Sequence, residues 1–335
     1  MFDEGLNKMG KKDRDNSKSP KMISVCVPCY NEVGNVKEMA DTLLGILEKL
    51  PYRYELIFTD NFSTDGTREL LRGMAADDSR IKVLLNNRNY GIDGRSGRNT
   101  FRNTSGDVII TIPCDFQEPP ELIPEFVSYW EQGYKVVCGQ KNSSEEGRLK
   151  YGLRQFFYRI INSLSEIPQY PNISGITLLD RAVMDEFLKT DYDFYLRYAL
   201  ADMGYEVKLI TYKQKKRKSG KSSYNLWRYL SFAINSMITT SSAPLRIMTV
   251  SGILLSVLSF AIGMIYLVLK LIFWYNFQAG TAPLLIGMFF LGALQLFFIG
   301  LLGEYVNVIL RKVTHRPDVI VKEKLNFDTD DKKDP

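Results

Sequence analysis

Histidine is almost absent: His315 is the single one in 335 residues, and it stands near the C-terminal end. Cysteine is scarce too, at four residues, and Cys26-x-x-Cys29 has no second ligand pair, so a zinc site is excluded. Four cysteines do not form a disulfide framework in a chain this long. Cys26 falls inside the apolar run Met22 to Val27, whereas a thioredoxin-type pair stands at a helix N-terminus, so the four are read as reduced, inert thiols. Charge of one sign is also missing. Lys+Arg at 43 against Asp+Glu at 38 leaves +5, too balanced for a nucleic-acid binder coated in base. Met1 to Lys21 mixes acids and bases without an apolar core, which is neither a signal nor a transit peptide, so the globular part is expected to stay in the cytosol.

Charge is absent altogether from two windows, Ile247 to Leu269 and Leu271 to Gly303, although the mean hydropathy of -0.14 hides them. At 1.5 Å per residue, about 20 helical residues cross a hydrocarbon core of about 30 Å. The spans are placed at 248–269 and 282–303, with a buried soluble hairpin as the alternative. Arg228 and Arg246 precede the pair, Arg311, Lys312 and Arg316 follow it, and Trp274 and Tyr275 anchor the connection, so both termini are expected in the cytoplasm. Two spans make an anchor rather than a transport pathway, and their exposed faces leave room for a homo-oligomer.

With 45% hydrophobic and 24% charged residues the chain can build a substantial core. Short Val/Ile/Leu-rich runs alternate with longer amphipathic ones, the pattern of an α/β domain with a parallel sheet. Strands are expected at Met22 to Val27, Glu55 to Thr59, Ile81 to Leu85, Val108 to Ile112, Lys135 to Cys138 and Val207 to Tyr212. A helix is expected over Val36 to Leu50, with Asn31 near its N-cap, and another over Glu121 to Trp130, with Pro119 in its first turn. The organisation is then a disordered polar tail at 1–21, the α/β domain at 22–222, juxtamembrane amphipathic helix at 223–246, two transmembrane helices within 247–304 and a cytoplasmic tail at 305–335. The charged end, Lys322 to Pro335, reads as disordered. Tyr151 to Leu164 and Tyr224 to Ile238 are amphipathic, open to core packing or to a membrane surface.

Open parallel sheets bind ligands beyond the carboxyl ends of their strands. Here those ends carry Pro28-Cys29-Tyr30-Asn31-Glu32, Asp60 to Gly66, and Pro113-Cys114-Asp115-Phe116-Gln117-Glu118-Pro119-Pro120. Asn31 and Asp65 could merely cap helices. Three acidic or amide loops on one edge point instead to a site. Hard divalent cations take carboxylate and amide oxygens, and Asp115 and Gln117 alternate along an extended segment, so both can point the same way, with Glu118 beside them. If such a site served a transferase with a nucleotide-sugar donor, a cation there would stabilise charge on the departing diphosphate. Asp60 can accept from a base N–H or a ribose hydroxyl.

Taken in order, Pro28-x-Tyr30-Asn31-Glu32, Asp60-Asn61-x-Ser63-x-Asp65-Gly66-Thr67, Asp115-x-Gln117-Glu118-Pro119-Pro120-Glu121-Leu122 and Arg217-x-x-Gly220-x-Ser222-x-Tyr224, followed by two spans, resemble the polyisoprenyl-phosphate glycosyltransferases of glycosyltransferase family 2. The resemblance covers Met22 to about Val321. It implies a GT-A fold, a nucleotide sugar donor that is usually UDP-linked, an undecaprenyl or dolichyl phosphate acceptor, Mg2+ or Mn2+, and inversion at the anomeric carbon. The product would be a lipid-linked monosaccharide for modifying cell-envelope glycans, made at a bacterial plasma membrane. By position, Pro28, Tyr30, Glu32, Asp60 and Asn61 would bind the nucleotide sugar, Asp115 and Gln117 would hold the metal, and Arg217, Lys218, Ser222 and Tyr224 would meet the acceptor phosphate. Asp115, Gln117 and Arg217 would then be the catalytic set.

One departure stands out: Pro113 occupies the place of the first Asp in the family's Asp-x-Asp-x-Gln. It leaves room for a non-catalytic nucleotide- or lipid-phosphate-binding member. A processive polysaccharide synthase would show Gln-x-x-Arg-Trp, yet Gln214-Lys215-Lys216-Arg217 is followed by Lys218. A soluble nucleotidyltransferase with an added anchor would release pyrophosphate. A lipid phosphate is already ionised at pH 7, so the scarcity of histidine costs such a transferase nothing. Lys213, Lys215, Lys216, Arg217, Lys218 and Lys221 can supply positive charge, or serve as an ordinary positive-inside flank.

Overall fold

The computed structural model describes residues 21–91, 95–141, 173–190, 196–215, 243–273, 281–313 and 319–327. The chain divides into two compact units. One comprises Met1–Ser144, Asn172–Lys221 and Asp318–Pro335, the other Glu145–Pro171 and Ser222–Pro317.

The first unit is built on an eight-stranded sheet: β1 Met22–Cys29, β2 Arg53–Asp60, β3 Ile81–Asn86, β4 Val108–Thr111, β5 Val136–Lys141, β6 Ile173–Asp180, β7 Val207–Tyr212 and β8 Val321–Leu325. Their order is β7-β5-β6-β4-β1-β2-β3-β8. Strands β3, β2, β1 and β4 are mutually parallel, as are β5 and β7. The sheet is nevertheless mixed, which corrects the parallel sheet expected from sequence: β6 runs antiparallel to β4 and β5, and β8 antiparallel to β3. β1 is buried on both faces, hence its nearly continuous apolar run.

Helices cover both faces. α1 Val36–Leu47 buries Val36, Met39, Ala40, Leu43 and Leu47, a stripe at helical spacing. It packs into one core with Leu71 and Ala75 of α2 Thr67–Asp77 and with Ile123, Phe126 and Trp130 of α4 Ile123–Glu131. Phe101 of α3 Arg95–Arg102, Val183, Met184 and Phe187 of α5 Arg181–Lys189, and Ala199 and Leu200 of α6 Leu196–Asp202 form the opposite core. Cys26 belongs to the second core and Cys29 to the first, so the Cys-x-x-Cys pair is divided between faces. All four cysteines are buried and free. Burial drives the Cys138 thiol up to about 12, consistent with an inert group.

The expectation of a disordered end from Lys322 is overturned for β8. Val321, Glu323 and Leu325 alternate inward while Lys322 and Lys324 stay exposed, the pattern of a sheet edge protected by lysine. Beyond the strand, Asn326 at φ 62 turns its side-chain amide to the carbonyls of Ala75, Asp78 and Ile81 at 2.6, 3.3 and 2.9 Å, tying the end of α2 to the start of β3.

In the second unit, α7 Ala243–Ile272 and α8 Thr281–Val313 are single unbroken helices. Ile247–Ile272 and Phe290–Leu310 are long and apolar enough to cross a membrane. Leu254, Phe260 and Leu296 are 64, 70 and 72% exposed, an apolar surface that water does not favour. The amphipathic stretches Tyr151 to Leu164 and Tyr224 to Ile238 lie outside the described residues.

Candidate active site

The strand order reverses between β1 and β4, the position at which open α/β sheets take their ligands. Three loops leave the sheet edge there, after β1, β2 and β4. Each holds a non-glycine residue in the left-handed region: Asn31 at φ 55, Phe62 at φ 69 and Phe116 at φ 57. That conformation costs about 1 kcal/mol or more for each residue, so the surroundings must enforce it.

For the first two loops the enforcement is mutual. Asn31 N donates to Ser63 Oγ at 2.8 Å, and Thr64 N donates back to Asn31 Oδ1 at 2.9 Å. Glu32 N donates to Thr67 Oγ1 at 3.0 Å and Val33 N to Asp65 Oδ2 at 3.2 Å. Asn31 is therefore a bridge rather than a cap, and Asn35 precedes α1 instead. Asp65 is partly buried, which opposes its charge, but hydrogen bonds from Thr67 and Val33 outweigh that and hold its carboxyl below the ordinary range.

Pro28 and Tyr30 alternate outward from the end of β1 while Cys29 points into the core. Tyr30 and Phe62 are each 39% exposed at this edge. Glu32 is buried, its Oε2 accepting from Asn35 Nδ2 at 2.5 Å. Asp60 is fully buried. Its carboxylate accepts from Phe62 N at 3.1 Å and from Ser63 N at 3.1 and 3.2 Å, and it lies 3.4 Å from Arg68 Nε. Burial nevertheless pushes the Asp60 carboxyl up, against the pull of those hydrogen bonds and of Arg68. Asn61 has a fully engaged amide: Nδ2 donates to Asn89 Oδ1 and Gly91 O at 3.1 and 3.0 Å, and Oδ1 accepts from Tyr90 N and Asn86 Nδ2 at 3.0 and 3.3 Å. Asp60 and Asn61 thus hold the backbone of the loops after β2 and β3.

The acidic segment follows β4. Asp115 Oδ1 accepts from Gln117 N at 3.1 Å, a turn that seats Phe116 in its left-handed conformation. Glu118 is 4% exposed and gathers three strands: Tyr212 Oη donates to it at 3.3 Å, Lys141 Nζ lies 3.7 Å away, and Gly175 supplies a backbone hydrogen bond. Burial raises the Glu118 carboxyl above the ordinary range, Lys141 opposes this, and the charge of Asp115 adds to it. Pro113 packs over Gly175 so closely that a Cβ there would stand 2.6 Å from its Cγ. The basic run begins beside this segment, since Lys215 N donates to Gln117 O at 3.2 Å and Lys215 Nζ lies 3.5 Å from Glu121. Arg217, Lys218, Ser222 and Tyr224 lie outside the described residues.

Asp115, Gln117 and Glu118 offer the oxygen donors that a hard divalent cation takes. Among the described residues no group of three His, Cys, Asp or Glu side chains comes together. Oxygen donors of this type suit an ion of the Mg2+ or Mn2+ kind, which can complete its shell with phosphate and water oxygens.

The sequence reading does not bring Lys141, Gly175 and Tyr212 to Glu118: Gly175 lies in Asn172 to Thr177, which reads as a loop, Lys141 lies past the expected strand end at Cys138, and nothing local marks a partner for Tyr212. A glycine inside a short apolar run is the available signal, since it marks close approach of a neighbour within a strand.

Residues 24–189 match the family described as Glycosyl transferase family 2. A bactoprenol glucosyl transferase of Shigella phage SfV is 30% identical over 302 residues, covering 90% of this chain and 98% of that protein. The SfII prophage-derived bactoprenol glucosyl transferase of Shigella flexneri is 30% identical over 303 residues, covering 90% and 97%. Among solved structures, glucosyl-3-phosphoglycerate synthase from Mycobacterium tuberculosis in complex with Mn2+, uridine diphosphate and phosphoglyceric acid has a TM-score of 0.46 at 18% identity, over 65% of this chain and 77% of that one. An alignment that leaves only a tenth of the chain unmatched takes in the apolar helices together with the sheet. Sheet, motifs and helices therefore share one ancestry, and the chain belongs to the polyisoprenyl-phosphate glycosyltransferases, GT-A enzymes of glycosyltransferase family 2.

Proposed function

We propose that the protein transfers one sugar, with inversion at the anomeric carbon, from a UDP-linked donor to a polyisoprenyl phosphate such as undecaprenyl phosphate, giving a lipid-linked monosaccharide for cell-envelope glycan modification. The observation that carries the reading is the convergence of the Asp115–Gln117–Glu118 segment with the interlocked loops after β1 and β2 on one sheet edge. The relatives named as bactoprenol glucosyl transferases support a lipid carrier and a hexose. The two apolar helices support a multi-pass protein of the bacterial plasma membrane, with the catalytic unit on the cytoplasmic side.

In this reading Pro28, Tyr30 and Phe62 line the nucleotide, on a wall that Glu32, Asp60 and Asn61 hold in place. Asp115 and Gln117 hold a divalent cation, Mg2+ or Mn2+, which when bound supplies Lewis-acid stabilisation of the departing diphosphate. The lipid phosphate arrives ionised, so a phosphate oxygen can attack the anomeric carbon without a general base. The new C–O bond forms on the face opposite the diphosphate as the old one breaks, and its electron pair leaves with the nucleoside diphosphate. No proton has to move. The task of the protein is to position two anions against each other and to tolerate their charge. Arg217, Lys218, Ser222 and Tyr224 are assigned to the acceptor phosphate, with Lys213 and Lys215 at the start of that basic run. The hydrogen bond from Lys215 N to Gln117 O supports bringing the run close to the cation-binding segment.

Pro113 favours one competing reading, a member that binds but does not turn over, because it removes a carboxylate beside Asp115. The test is a screen of radiolabelled nucleotide sugars with undecaprenyl phosphate and purified protein in detergent. A chloroform-soluble labelled product with release of nucleoside diphosphate is expected. Binding without product would establish the competing reading, and release of pyrophosphate would establish a nucleotidyltransferase.

A further inference from the structure

The segment that follows α8 in the chain reaches the nucleotide side of the sheet. Ile320 N donates to Tyr90 Oη at 2.8 Å, and Ile320 O accepts from Asn87 N at 2.9 Å, so two hydrogen bonds fasten residues 87–91 to the approach of β8. Tyr90 is 5% exposed, with the Arg88 guanidinium 4.2 Å from its ring centroid. On its other side, Tyr90 N donates to Asn61 Oδ1 at 3.0 Å, and Asn61 Nδ2 returns to Gly91 O and Asn89 Oδ1. Asn61 is therefore the fastening between the loop after β3 and the loop after β2, and its backbone runs directly into Asp60 and Phe62. A second tie runs parallel to it: Arg68, beside Asp60, donates from Nη2 to Asn86 O at 3.3 Å. A phenylalanine would fill the space of the Tyr90 ring equally well. The hydroxyl is used on the backbone of a segment 230 residues away.

We propose that Tyr90 is a positioning residue for the nucleotide-sugar donor. Its hydroxyl, held by the backbone of Ile320, fixes residues 87–91 and, through Asn61, sets the placement of Asp60, Asn61 and Phe62 on the donor side of the pocket. The strand that closes the sheet at β3 is thereby part of the donor site, although it is the last of the described elements. This inference rests on the donor reading above and gives that reading a further residue.

The test uses the full-length protein in detergent with two variants that break the same hydrogen bond from opposite ends. Tyr90→Phe removes the acceptor, and Ile320→Pro removes the donor while leaving the Ile320 carbonyl to Asn87. Calorimetric titration with UDP, GDP, CDP and ADP in the presence of Mg2+ is paired with steady-state kinetics in which each substrate is varied in turn. Loss of one hydrogen bond corresponds to about a five-fold change in an equilibrium constant. We expect the dissociation constant of the nucleotide bound by wild type, and the KM for its sugar, to rise about five-fold in each variant and no further in the double variant. The turnover number and the KM for polyprenyl phosphate should stay within about two-fold of wild type, a split that general loosening of the fold would not produce. Unchanged nucleotide affinity in Tyr90→Phe would overturn the proposal while leaving the donor reading intact. So would a parallel loss in the KM values of both substrates and in melting temperature. Wild type that bound none of the four nucleotides would overturn the donor reading, and this inference with it.

Discussion

Arg72 and Glu323 are joined by two parallel hydrogen bonds, Nε to Oε2 at 2.9 Å and Nη2 to Oε1 at 2.9 Å, across 251 residues of sequence. The guanidinium holds the Glu323 carboxyl below the ordinary range, so the unfolded chain binds its proton more readily than the folded one. The pair therefore stabilises β8 above the ordinary glutamate pKa of about 4.3 and ceases to do so as pH falls through the depressed folded value. Both side chains are about a third exposed, at 35 and 31%, and solvent screening limits the contribution to about 1 kcal/mol or less. Glu323→Gln should lower the melting temperature of the full chain slightly at pH 7, and the difference from wild type should vanish in strong acid. A difference that grew on acidification would contradict the assignment.

Gly175 has no room for a side chain. A Cβ would stand 2.6 Å from Pro113 Cγ and 3.8 Å from Glu118 Oε1, so Gly175→Ala must push the proline ring toward the acidic segment. Overpacking of this kind costs about 1–3 kcal/mol. We expect reduced stability and reduced transfer in Gly175→Ala, and recovery of much of both when Pro113→Ala is added to make space. A double variant as impaired as the single one would show that the strand itself, and not the proline contact, needs the glycine.

Asp115→Asn keeps the size of the side chain and its hydrogen bond with Gln117 N but removes the anionic oxygen. Transfer should fall by about a hundred-fold or more, with expression, membrane extraction and melting temperature near those of wild type. Excess chelator should reduce wild-type transfer in the same way, and added Mg2+ or Mn2+ should restore it. Wild-type turnover in Asp115→Asn would remove Asp115 from the metal site.

From the basic flanks of the apolar helices we expect both chain ends on the cytoplasmic side. A reporter fused after Pro335 should behave as cytoplasmic, and one inserted at Gln278 as external. β8 makes the first half of this stringent, because a strand paired with β3 has to lie in the same compartment as the catalytic sheet. Labelling of the C-terminus from outside intact cells would refute the orientation.

What the sequence by itself determined is the part of the molecule whose signals are local. The strands β1 to β5 were legible, within a few residues at their ends, from short apolar runs, because the faces of interior strands are buried and each residue reports that burial directly, and the edge strand β7 was legible from its own short apolar run. α7 and α8 were legible from the absence of charge, and the acidic loops from their position after strands. Tertiary structure alone decided β6 and β8. Glycine, serine and threonine make Asn172 to Thr177 read as a loop, yet Ile173–Asp180 becomes a strand by antiparallel pairing with β4 and β5, which also brings Gly175 against Pro113 and Glu118. Val321–Leu325 alternates lysine and glutamate with two apolar residues, too few to bury a face alone, and it is held by β3, by Arg72 and by the Asn326 amide. The same holds for the surroundings of Asn61: its type and place after β2 are local, but its four hydrogen bonds bind loops brought together by strand order, and strand order is fixed by contacts distant in sequence that no local pattern contains.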